Sequence, residues 1–83
     1  MSMLAYKQRI LAILAENLKN SEPQVVSSDM LSARINLPIK DTCQLIKVMN
    51  QMGIIESDQD GQRSLITRQG MMYLKELQLS KAA

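Results

Sequence analysis

The sequence predicts a single α+β domain, mainly helical, spanning residues 1–83. Three observations predict it. Apolar residues recur at helical spacing over the first twenty positions, again from Met30 to Ile35, and again from Thr42 to Met52. Short β-branched runs, "QVV", "IIES" and "RSLIT", stand between or after them. Turn-forming clusters, "NSEP", "NLP" and "DQDGQ", separate the two kinds of segment.

The first helix is written in "MSMLAYKQRILAILAENLKN". At 100° per residue, Tyr6, Ile13, Ile10, Met3, Leu14, Leu18, Leu11 and Leu4 fill an arc of about 180°, wider than the ~100° that one core contact uses. Ile10, Leu14 and Leu18 lie at its centre and are expected to face the next two helices. The flanks, Tyr6 and Ile13 on one side with Leu4 and Leu11 on the other, are surplus. Lys7, Arg9 and Glu16 interrupt the apolar run, so the segment is not expected to be a secretion signal. Pro23 is the expected stop.

Gln24 to Val26 then reads as one brief strand. Ser27 and Ser28 are N-cap candidates for a second helix, with Asp29 in its first turn, where the helix dipole favours an acid. Met30, Leu31 and Ile35 are its inward residues, and "NLP" ends it. The third helix is "IKDTCQLIKVMNQM", with Thr42, Leu45, Ile46, Met49 and Met52 on the inner face. Lys40, Gln44, Lys47 and Gln51 form a stripe on the outer face, and Asp41 serves the helix N-terminus. Gly53 is the expected left-handed residue after the helix. Asp60-Gly61 signals a hairpin between the last two strands. A closing helix is expected over about 71–79, with Tyr73, Leu74 and Leu77 on one side and Met72 and Leu79 on the other; "SKAA" is expected to fray. Two helices joined by a tight turn (about 28–52) and followed by a two-stranded ribbon (about 54–67) make a helix-turn-helix with a wing.

At this point the residues resemble a known family. "SSDMLSARINLPIKDTCQLIKVMNQMGIIES" followed by "SLITRQGMMYL" is similar to the winged helix-turn-helix core of bacterial transcriptional regulators, including the MarR-type group. Ala33 inside the second helix, Leu37 in the turn, the "Leu-Ile-x-x-Met" face of the third helix, "GII" at the first wing strand and "LITRQG" before the closing helix carry the match, over roughly residues 25 to 77. Where such proteins commonly begin the recognition helix with Ser or Thr, this chain has Ile39, Lys40 and Asp41.

The resemblance implies sequence-specific binding of double-stranded DNA in prokaryotic transcription regulation. The third helix, residues 39–52, would enter the major groove. Gln can pair with adenine, and Lys can reach guanine O6 and N7. The expected DNA-binding residues are Ser27 and Ser28 at a phosphate, Lys40, Gln44, Lys47 and Gln51 on the recognition face, and Arg63 in the wing. Without that context the same stripe describes a solvated helix face, and a module that docks on another protein is the alternative function.

Charge complicates the wing. Overall the chain has 10 basic and 8 acidic residues, net +2, too little to announce a nucleic-acid partner. Residues 54–63 are its most acidic stretch, with Glu56, Asp58 and Asp60 against Arg63. Either this wing stays off the DNA or the domain is not primarily a DNA binder.

The remaining expectations follow from composition. One Cys and no His exclude an internal disulfide and point to a reducing cytoplasm, with no metal or other cofactor. Cys43 reads as a small half-buried residue, although a thiol on a recognition helix is also a conceivable redox switch. No nucleophile stands with a base at a recognisable spacing, so no enzyme is expected. No membrane span is expected. The surplus apolar flanks predict a homodimer through Leu4, Tyr6, Leu11, Ile13, Met72 and Leu79, unless the first and last helices cover each other within one chain.

Overall fold

The structure is a computed structural model that describes residues 2–20 and 25–82, with side chains from residue 80 onward excluded. Among the described residues, four helices and a three-stranded antiparallel sheet make an α+β and mostly helical fold. The expected stop at Pro23 and the strand position Gln24 lie outside the described residues.

α1 (Met3–Asn17) starts at Ser2, whose hydroxyl accepts the Ala5 amide at 3.2 Å, and it closes on Leu18. β1 (Val26–Ser27) runs straight into α2 (Ser28–Ile35), capped by Ser27 through a 3.2 Å bond from the Met30 amide. Asn36 adopts the left-handed conformation, φ 57°, and turns the chain within two further residues into α3 (Ile39–Gln51). Pro38 offers α3 no side-chain cap, and Asp41 in the first turn supplies the negative charge that the exposed amides favour. Gly53, φ 78°, reverses the chain after α3 as expected. β2 (Ile55–Ser57) pairs with β3 (Arg63–Ile66), and β3 also pairs with β1, giving the order β1-β3-β2.

α4 (Arg68–Ala82) begins three residues earlier than "RQG" suggested and continues through most of the expected tail. Thr67 explains the start. Its hydroxyl donates to the Gly53 carbonyl at 2.7 Å and accepts the Gly70 amide at 3.0 Å, while its own amide reaches the Ile54 carbonyl. Gly70 is therefore a helix residue, not a breaker. It is needed for space: a Cβ there would lie 1.9 Å from the Ile54 carbonyl oxygen.

Ile10, Leu11, Leu14, Leu31, Ile35, Leu45, Ile46, Met49 and Ile55 form the centre of the core. Three residues expected inside are exposed. Leu18 and Met52 are the cap residues that follow their helices, and Met30 sits beside the Leu31–Ile35 row. Leu11 errs the other way. It was expected on a surplus flank and is fully buried, because α1 packs on α2, β3 and α4 together and so uses most of its wide apolar arc within the chain.

Candidate nucleic-acid interface

α3 is anchored on one side and open on the other. Thr42, Leu45, Ile46 and Met49 are buried, and the Thr42 hydroxyl donates to the Pro38 carbonyl at 3.0 Å. Lys40, Gln44, Lys47 and Gln51 are all exposed on the opposite side, as the spacing required. The rise of 1.5 Å per residue gives this stripe a length of about 16 Å.

The two serines at the start of α2 differ from each other. Ser27 is exposed, with its oxygen committed to the α2 cap. Ser28 is fully buried: its amide donates to the Gln62 carbonyl at 2.8 Å, and its hydroxyl donates to the Gly61 carbonyl. No phosphate can reach it, so the expected contact at Ser28 is corrected. Of two adjacent serines, the first caps the helix and the second is turned back under the hairpin.

Residues 58–62, the expected wing tip, are held close to the body. The Asp58 carboxylate accepts the Gln62 amide at 2.7 Å and the Arg63 amide at 3.4 Å. Its backbone closes the same loop, donating to the Arg63 carbonyl and accepting from Gly61. Gly61, φ 69°, is buried against α3, where an added Cβ would meet the Cys43 carbonyl at 3.1 Å and the Lys47 stem at 3.5 Å. Asp58 thus serves its own loop, and Asp60 is left at the exposed tip.

Arg63 does not join the α3 stripe. It lines a shallow depression with Val25, Asn50, Glu56, Ser57, Asp58 and Leu65, two carboxylates among them. Gln62 is a residue the sequence did not single out. It is exposed, and its side-chain amide approaches the half-buried Cys43 sulfur at 3.9 Å, on the flank of α3 next to Lys47. Only the left-handed Gly61, which turns the loop onto α3, would have signalled it.

The six residues expected at a dimer interface do not form one patch. Leu11 is in the core; Tyr6 is half-buried in a cleft of about 420 Å³ between α1 and α3, shared with Met3, Lys7 and Gln44; and Ile13, two turns further along α1, lines a different groove with residues of α4. Leu4, Met72 and Leu79 remain exposed. Among the described residues, no three of Cys, Asp and Glu gather as metal ligands, and no helix is long and apolar enough to cross a membrane.

Comparison of the chain with protein-family models, with curated proteins and with solved structures gives no match.

Proposed function

We propose that the chain is a winged helix-turn-helix domain that binds double-stranded DNA in transcription regulation, with α3 as the recognition helix. One observation carries the reading: an exposed polar stripe of Lys40, Gln44, Lys47 and Gln51 on a helix whose other face is fixed by four buried side chains. A helix fits the ~12 Å width of the major groove, and its Lys and Gln side chains have the donors and acceptors that base edges require. The two-residue link after Asn36 and the antiparallel hairpin after α3 also suit this reading.

The acidic hairpin is reconciled with it by position. Asp58 is turned into the loop and Gly61 clamps the loop to α3, so the hairpin acts as a brace and not as a phosphate grip. Two copies would pair through Met72 and Leu79, exposed seven residues apart on α4, to read two half-sites. A protein partner for the α3 face is the competing reading.

Selection of bound sites from random duplex DNA tests the proposal. An enriched motif is expected, with Gln44→Ala relaxing the preferred base and Lys40→Ala or Lys47→Ala weakening binding. Two lysines per copy give a log–log salt slope of roughly −2, or roughly −4 for a pair of copies. No enriched motif, or unchanged binding in all three variants, removes the DNA reading and favours the protein partner.

A further inference from the structure

A second surface lies at the edge of the core, where α1 packs on α4. It is a groove of about 460 Å³ bounded by α1, the end of α2 and the start of α4. Its apolar lining is Ala12, Ala15 and Ile13 from α1 with Met71 and Leu74 from α4, of which Ala15 and Leu74 are already buried in the core, and Gln78 lines it as well. Among the described residues its charged lining is mostly cationic, with Arg9, Lys19 and Arg34 against one carboxylate, Glu16. Arg9 is also braced there, donating Nη2–H to the Arg34 carbonyl at 3.0 Å.

We propose that this groove docks an acidic amphipathic helix of a partner protein. The small Ala12 side chain lets a second helix approach α1 closely, and Ile13 and Met71 receive its apolar stripe. From Arg9 to Glu16 along α1 the groove runs about 10 Å, the length of roughly two helical turns. Carboxylates flanking the stripe would meet Arg9, Lys19 and Arg34, and the excess of cations selects against a basic helix. A duplex suits the site less well, because its phosphates would match the cations and leave the apolar lining uncovered. The proposal is independent of the α3 reading, since none of these residues belongs to the α3 stripe.

The test is selection from a displayed library of helical peptides against the full chain. Binding of the enriched peptides is then measured by fluorescence anisotropy on the parent chain and on the Lys19→Glu, Arg34→Glu double variant. Both side chains are exposed, and circular dichroism confirms that the variant folds. The expected result is enrichment of peptides with apolar residues at i, i+3 or i+4, and i+7 and with Asp or Glu beside them. Their affinity should fall at least tenfold in the double variant and decline with salt. A variant Ala12→Trp, which fills the groove without changing charge, should also abolish binding. No enrichment, peptides lacking acidic residues, or equal binding to both variants would overturn the proposal. So would self-association or duplex binding that the double variant removes, since a second copy or DNA would then be the occupant.

Discussion

At Asp58 a single carboxylate receives two amides of the loop it opens. Asp58→Ala should therefore lower stability by about 1 kcal/mol, and Asp58→Asn, which keeps an acceptor oxygen, by less. For a domain of this size that is a fall in Tm of roughly 4–8 °C, readable by thermal melting. Asp60 is different, since it stands at the exposed tip. Asp60→Lys should leave Tm unchanged and, if the tip lies near DNA, raise affinity and steepen the salt slope by about one unit. Ser28 separates a structural from a functional serine. Ser28→Ala should cost about 1–3 kcal/mol by leaving the buried Gly61 carbonyl without its donor, and should leave the salt slope of DNA binding unchanged. A lower slope at unchanged Tm would restore the phosphate contact. None of this was legible beforehand: two adjacent serines and two nearby aspartates are equivalent in sequence, and only the loop's path decides which ones turn inward.

Between the hairpin and α4, the chain is joined by residues that read as punctuation. Thr67 ends a β-branched run, and Gly70 closes the "RQG" after which the sequence places the helix. The deciding fact is the distance of helix from strand, which no local pattern encodes. Gly70→Ala should accordingly cost about 3 kcal/mol or more, because backbone and not a flexible side chain stands in the way. Thr67→Val should cost roughly 1–3 kcal/mol through the lost cap and the orphaned Gly53 carbonyl. Urea denaturation of both variants measures these losses, and a Gly70→Ala protein as stable as its parent would refute the close approach. α3 was legible for the opposite reason. Its inner and outer rows follow the 3.6-residue period along one straight element, and Gly53 marks its end chemically.

For the molecule as a whole, the question is where the apolar surface of α1 and α4 goes. Much of it is spent inside the chain, with Leu11 in the core and α1 packed on α4. Counting apolar positions on one helix cannot reveal how many neighbours it will have, which is why Leu11 was misplaced while Ile10 and Leu14 were not. What remains outside includes Met72 and Leu79, 60% and 62% exposed on the outer side of α4. Sedimentation at micromolar concentration should show a species heavier than 9.4 kDa that Leu79→Glu returns to a monomer. A monomer in both cases would leave one recognition helix per molecule and a salt slope near the smaller of the two expected values.

The bond from the Ser28 hydroxyl to the Gly61 carbonyl ties positions far apart in the chain, and the Ser28 amide doubles it at the Gln62 carbonyl. Residues that close so long a loop cannot open one at a time. α2 would have to unwind, or the hairpin detach, before either bond could exchange with water. The Ser28 amide should then be among the slowest to take up deuterium, at a rate set by opening of the entire domain, whereas the Asp60 amide at the tip exchanges early. A hairpin that looks in sequence like an appendage is, in this respect, a clasp whose release and the melting of the protein are the same event.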